Sequence, residues 1–126
     1  MVLTGAAAGG PLPTVSIGLP VYNGENYLGE ALDSIAAQTL TDYELIISDN
    51  ASTDATPRIC EARAAADPRI RYFRNATNIG GDRNYYRCFE LSRGKYFLGV
   101  AHDDRLHPDY LAKIIPVLEA DPSVAF

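Results

Sequence analysis

Two hydrophobic rhythms alternate along this chain. One is the short continuous apolar run; the other is a stripe with apolar residues three and four positions apart. Residues 15–19 (VSIGL), 43–48 (YELIIS), 70–74 (IRYFR) and 95–100 (KYFLGV) are runs of the first kind. They predict strands, and runs with few polar breaks suit parallel strands covered on both faces. Leu28, Ala31, Leu32, Ile35 and Ala36 form a stripe of the second kind, so a helix is expected there, with Asn23 as its cap. A second helix is expected from Pro57, capped by Thr56 and stopped at Asp67-Pro68. A third is expected over 84–92, closed by Gly94, and a fourth from Pro108 to Pro122 with Leu111, Ile114, Ile115 and Leu118 on one face. Val124, Ala125 and Phe126 read as the start of a fifth strand.

Strands alternating with helices imply an α/β fold: a Rossmann-like, mostly parallel sheet with helices on both faces. Residues 1–13, rich in Ala, Gly and Pro, are expected to be a flexible tail, and residues 14–126 a single domain. The last run is cut as it begins, so the domain is expected to be truncated at its C-terminus. A sheet left open there would expose an unpaired edge, and self-association through that edge is expected.

The 126 residues are 47% hydrophobic and 21% charged, with a formal net charge of -5. That balance suits a globular domain and argues against nucleic acid as partner, because no basic cluster offsets the acids. Phosphates are not excluded, since backbone N–H groups and a metal bind them without many lysines. Cys60 and Cys88 lack metal-ligand spacing and read as buried free thiols of a reducing compartment. No apolar run has the length of a membrane span, and the start lacks a signal peptide's charge and apolar stretch. A cytoplasmic location is the default expectation, with membrane association of a longer protein left open.

Ligands of open α/β sheets bind beyond the carboxyl ends of the strands, and three polar clusters fall at such ends. They are Pro20-Val21-Tyr22-Asn23-Gly24-Glu25, the stretch from Asp49 to Asp54, and His102-Asp103-Asp104. Asp103 and Asp104 are the candidate metal ligands. Adjacent carboxylates can hold Mg or Mn against a diphosphate, although paired acids also favour helix starts. Asp49 can accept a hydrogen bond from an imide N–H such as that of uracil or thymine, or can open an Asx-turn. Tyr22 can pack on a base with Pro20 and Val21 beside it, or simply pack at the sheet edge. Glu25 can reach the same place or favour a helix start. Asn78, Arg83 and Asn84 lie in or just after a loop feeding a helix N-terminus, which can touch a ribose or phosphate or be plain surface. His102 is a further candidate contact.

Together these segments resemble the family 2 glycosyltransferases. The opening 15–23 (VSIGLPVYN) is similar to the first strand and loop of that family. Residues 31–39 (ALDSIAAQT) resemble its first helix, and 46–56 (IISDNASTDAT) its segment of apolar residues followed by V-D-D-G-S-T-D-G-T. Asn78-Ile79-Gly80 through Asn84 and 92–96 (SRGKY) resemble its N-x-G…N…A-x-G-x-Y stretch. His102-Asp103-Asp104 with 108–111 (PDYL) resembles its acidic metal motif and the helix after it.

The resemblance implies the N-terminal, nucleotide-sugar-binding portion of a GT-A fold and a divalent metal. It also implies sugar transfer from a nucleotide-diphosphate sugar to an acceptor hydroxyl with inversion. Asp49 matches the base-binding aspartate, Pro20, Tyr22 and Glu25 the first donor loop, and Asp103 and Asp104 the metal motif. A UDP- or TDP-type donor is favoured; the acceptor is unknown. The general base is expected beyond Phe126, so the chain by itself is expected to carry the donor half.

Two positions depart from the pattern: Ala101 stands at the first acid of D-x-D-D, and Asn50 at the second Asp of V-D-D. A nicotinamide-dependent oxidoreductase would need G-x-G-x-x-G after the first strand, where Leu19-Pro20-Val21-Tyr22-Asn23-Gly24 stands. A nucleotidyltransferase would need a Gly-rich loop with a basic residue there, which is also missing. A non-catalytic nucleotide-binding or oligomerising module is the remaining alternative.

Overall fold

The computed structural model describes residues 2–3, 12–121 and 123. The strands are β1 (Val2–Leu3), β2 (Val15–Val21), β3 (Tyr43–Asp49), β4 (Ile70–Arg74) and β5 (Tyr96–Gly99). The helices are α1 (Leu28–Ala36), α2 (Thr56–Ala66), α3 (Gly81–Leu91) and α4 (Tyr110–Ala120). One sheet holds all five strands in the order β1-β5-β2-β3-β4. β5, β2, β3 and β4 run parallel, and β1 pairs antiparallel with β5.

The two-residue period of the strands sorts the side chains cleanly. Val15, Ile17, Leu19 and Val21 of β2, Tyr43, Leu45 and Ile47 of β3, and Tyr96 and Leu98 of β5 face one side. There they meet Leu28, Ala31, Leu32 and Ile35 of α1, Cys60 of α2, and Leu111, Ile114, Ile115 and Leu118 of α4. Ile46 and Phe97 face the other side, where Cys88 of α3 covers them with Phe73, Phe89 and Leu91 at the margin. Helices therefore cover both faces, three on one and α3 on the other. The second face is tightly built: a Cβ on Gly18 would lie 2.5 Å from the Phe97 ring and 2.8 Å from Cys88 Cβ.

The second face also holds a polar cluster at the start of the strands. Glu44 is buried, yet it accepts hydrogen bonds from Ser16 Oγ (2.6 Å), Arg93 N (2.7 Å), Arg71 Nη1 (2.9 Å) and Arg93 Nε (3.1 Å). Burial alone would push the carboxyl up, but these donors outweigh it and hold the Glu44 pKa below the ordinary value.

Several boundaries differ from the sequence expectation, each for a local reason. β2 continues through Pro20 to Val21. Gly18 bonds toward β5, since its carbonyl accepts Val100 N, so Pro20 also turns its nitrogen that way. β5 ends opposite Gly18, and the missing N–H breaks no ladder bond. Thr56 lies inside α2 rather than capping it; its amide donates to Asp54 Oδ1 at 2.9 Å. Asn23 does not cap α1, which is preceded by Tyr27. α3 begins at Gly81, three residues before the expected start, and Ser92 rather than Gly94 ends it. α4 begins at Tyr110 and carries Pro116 inside it, at an exposed position. The tail expectation over 1–13 is corrected at Val2–Leu3, which pairs with Phe97 and Tyr96. That pairing lies along the β5 edge. The expected fifth strand at 124–126 lies outside the described residues.

Candidate functional site

β2, β3 and β5 all point their carboxyl ends the same way, and the loops that follow them interlock. Val21 O accepts Asn50 N at 2.8 Å, and Asp49 O accepts Asn75 N at 2.8 Å, so the parallel ladder runs on past the strand ends. Asn23 then turns with φ 50°, a left-handed conformation that Asn tolerates better than most residues. Its amide donates to Ser52 Oγ (2.9 Å), and its Oδ1 accepts Thr53 N (2.8 Å). Gly24 N donates to Thr56 Oγ1 at 3.0 Å. Glu25 and the turn before α2 exchange bonds in both directions: Glu25 N donates to Asp54 Oδ2 (3.2 Å), and Ala55 N donates to Glu25 Oε2 (2.9 Å). Burial disfavours the Asp54 charge, but the bonds from Thr56 and the Glu25 amide hold its pKa below the ordinary value.

The third loop closes on the first. A Cβ on Gly24 would lie 2.8 Å from His102 Cδ2, so the His102 ring packs directly over the Gly24 backbone. Asp104 folds back on its own turn, with its amide donating to Ala101 O (3.1 Å) and its Oδ2 accepting Ala101 N (3.3 Å). Asp103 is exposed and makes no ion pair or hydrogen bond among the described residues. Tyr22 is 46% exposed beside the same loops. Pro20, Val21, Tyr22, Glu25, Asp103 and Asp104 thus share one end of the sheet, and Tyr22 and the two aspartates present free polar or aromatic surface.

Other expected contacts are built into the floor instead. Asp49 is 0% exposed. Its Oδ1 accepts Ser52 N (2.9 Å) and its Oδ2 accepts the Tyr72 hydroxyl (2.6 Å), with Arg74 Nε 3.8 Å away. Both oxygens are hydrogen-bonded within the fold, so the carboxylate supports the loop that carries Ser52. Asn84 is also buried: its Oδ1 accepts Ser48 Oγ (2.7 Å) and Asn75 Nδ2 (2.9 Å), and its Nδ2 donates to Ser48 O (2.9 Å). Asn50, at the departure from V-D-D, donates to Asn78 Oδ1 (2.8 Å) and accepts Ile79 N (2.8 Å) and Asn75 Nδ2 (3.1 Å). Asn78 also accepts Gly80 N at 2.9 Å, which fixes the turn into α3. Arg83 lines a groove of about 390 Å³ with Ile79, Asp82, Tyr86, Arg87 and Glu90, none of them from the loops after β2, β3 or β5.

Tyr72, Arg74, Asn75, Ser48 and Ser52 complete this floor and were not singled out from sequence. Ser48, Tyr72 and Arg74 lie in strands and Ser52 and Asn75 in the loops after them, and those positions name no partner.

Among the described residues no group of three or more His, Cys, Asp or Glu side chains gathers into a metal cluster. Asp103 and Asp104 nonetheless fit a hard divalent cation of the kind that takes one or two carboxylates and completes its shell from phosphate oxygens and water. No helix among the described residues is long and apolar enough to cross a membrane.

Comparison with known proteins follows the same outline. The family model for Glycosyl transferase family 2 matches residues 16–126. Abequosyltransferase RfbV of Salmonella typhimurium is 37% identical over 113 residues, covering 87% of this chain and 34% of that protein. The crystal structure of S. aureus TarS 1-349 in complex with UDP-GlcNAc superposes with a TM-score of 0.79 at 26% identity, over 85% of this chain and 31% of that one. Mannosyltransferase PcManGT from Pyrobaculum calidifontis, in complex with GDP-Man and Mn2+, gives 0.81 at 26% identity, over 90% and 34%. These structural neighbours have the GT-A fold, as expected for this sheet. The chain spans about a third of the length of each of these three proteins.

Proposed function

The chain belongs to Glycosyl transferase family 2, and from that premise we propose that its strand-end cleft binds the nucleotide-diphosphate sugar of an inverting sugar transfer. The observation that carries this reading is the interlock of the three loops: Asn23 with Ser52 and Thr53, and His102 over Gly24. It sets exposed Tyr22 and the acids Asp103 and Asp104 at one end of a parallel sheet, where α/β folds hold phosphorylated ligands. Neighbours solved with UDP-GlcNAc and with GDP-Man and Mn2+ support the ligand class.

On this reading Tyr22 packs against the base, and the backbone of Pro20 and Val21 bounds it. Asp103 and Asp104 hold Mg or Mn, which would neutralise charge on the departing diphosphate. The acceptor hydroxyl oxygen forms a bond to the anomeric carbon as the bond from that carbon to the diphosphate oxygen breaks, inverting the centre. A general base takes the hydroxyl proton, a role given to none of the residues named above. Asp49 acts from beneath, by holding the 50–54 loop, and the base is read by other groups. The preference for a UDP- or TDP-type donor then rests on the family and on the neighbour solved with UDP-GlcNAc, not on Asp49.

Calorimetric titration with UDP, TDP and GDP, each with and without Mn2+, tests the proposal. Metal-dependent binding of one nucleoside diphosphate is the expected result. Absence of binding to all three, with Mn2+ present, would overturn it.

A further inference from the structure

Ala101 brings no polar side chain to the turn after β5, and at the end of that strand the structure supplies a polar group from another element. Tyr85, on the first turns of α3, lies across the end of β5. A Cβ on Gly99 would meet Tyr85 Cε2 at 2.4 Å and its hydroxyl oxygen at 2.6 Å. Glycine at 99 is therefore what lets the phenol lie against the strand. The ring is held edge-on to Phe97, with centroids 5.9 Å apart and planes at 88°. Its other side is open: Tyr85 is 46% exposed, and its hydroxyl bonds to no described residue.

The alternation of β5 decides what that hydroxyl faces. Phe97 is on the α3 side and Leu98 on the other, with Gly99 back on the α3 side. Val100 keeps the rhythm: it is buried in the opposite core, and its amide donates to Gly18 O at 2.8 Å. Ala101 follows two residues past Gly99, in the turn beyond the end of β5. His102 does not compensate for Ala101, because its ring is turned onto Gly24.

We infer that Tyr85 is a donor-contacting residue, its hydroxyl giving a bound nucleoside diphosphate the polar contact that Ala101 cannot make. This rests on the donor-binding reading above. A phenol is neutral and can both donate and accept. The contact is thus suited to a ribose hydroxyl or a phosphate oxygen, and it adds no negative charge beside Asp103 and Asp104.

The test is Tyr85→Phe, which keeps the ring on Phe97 and Gly99 and removes one oxygen. With Mn2+ present, its affinity for UDP is expected to fall about five-fold, the size of one hydrogen bond, with the thermal midpoint unchanged. Pyrophosphate and 2′-deoxy-UDP locate the contact. A loss shared by pyrophosphate places it on phosphate, and a loss confined to the ribonucleotide places it on the sugar. Gly99→Ala is the second variant. By displacing the ring it should weaken UDP binding in the wild-type background but not further in Tyr85→Phe. Wild-type affinity in Tyr85→Phe overturns the inference while leaving the donor reading intact. A wild-type chain that binds no nucleoside diphosphate overturns both.

Discussion

The Tyr72 hydroxyl donates to Asp49 Oδ2 at 2.6 Å, joining the middle of β4 to the last residue of β3. Asp49 has no exposed surface, and Ser52 N takes its other oxygen. A buried carboxylate must be hydrogen-bonded to be tolerated, and Tyr72 is one of its two bonded partners. Tyr72→Phe is therefore expected to cost about 2 kcal/mol of stability, the range for a hydrogen bond to a charged group. Urea unfolding at pH 7 measures it. Asp49→Asn should also destabilise, yet leave the preference among UDP, TDP and GDP as it was. A changed base preference would restore Asp49 as a direct contact.

The same pair sets an alkaline limit. Burial first, and then the bond to the Asp49 carboxylate, push the Tyr72 pKa well above the ordinary tyrosine value. A pKa raised in the folded state gives a contribution that is complete below the unfolded value, about 10, and is lost as pH rises above it. Stability is expected to decline from about pH 10 upward, and the decline should be shallower in Tyr72→Phe. Unfolding midpoints between pH 8 and 11 check the sign.

Glu44 sets the acid limit by the opposite sign. Its folded pKa is lowered, so its contribution is complete above the unfolded value of about 4.3 and is lost as pH falls through the folded pKa. Glu44→Gln keeps the shape but removes the charge facing Arg71 and Arg93, which are themselves 26% and 48% exposed. Their partial solvation limits the penalty to about 2 kcal/mol at pH 7. At pH 3 the gap between variant and wild type should be smaller than at pH 7. A gap of equal size at both pH values would show that packing, not charge, carries the effect.

Cys60 and Cys88 lie on opposite faces of the sheet, and both are fully buried. Burial pushes each thiol up to about 12. Only about one in ten thousand would be thiolate at pH 8, and the thiolate is the reactive form. Neither is expected to react with an aromatic disulfide reagent in the native chain, and both should react at the rate of unfolding in urea. Labelling of the folded protein within minutes would refute this.

The strands of this fold were readable because burial on both faces leaves short apolar runs with few polar breaks in the sequence. Residues 15–19 (VSIGL) are one such run. Loop positions were readable too: each cluster named at a strand end stands at that end. Orientation was not readable. Asp49, Asn78 and Asn84 carry groups suited to a ligand, and their hydrogen bonds to Tyr72, Asn50 and Ser48 could not be named from sequence. A carboxylate or amide next to a loop has inward and outward partners of equal chemical merit, and only the backbone path chooses between them. Glu44 was overlooked for a related reason. A charge inside an apolar run looks like an edge residue until Ser16, Arg71 and Arg93, 28, 27 and 49 positions away, are brought against it.

The two acids after β5 should separate by function. Asp103 holds nothing in the fold, whereas Asp104 accepts Ala101 N and so helps close the turn that carries both. Asp103→Asn is expected to leave the thermal midpoint within error. Its Mn2+-dependent affinity for a nucleoside diphosphate should fall at least about ten-fold, because a hard cation prefers a charged oxygen ligand to a neutral amide. Asp104→Asn retains an oxygen that can accept Ala101 N, so it too should fold and lose metal-dependent affinity. Asp104→Ala breaks the turn as well and should weaken metal-free binding in addition. Calorimetry with and without Mn2+, run beside thermal unfolding for all three variants, distinguishes these outcomes. Equal Mn2+ dependence in Asp103→Asn and the wild type would move the cation, and the diphosphate with it, away from this loop.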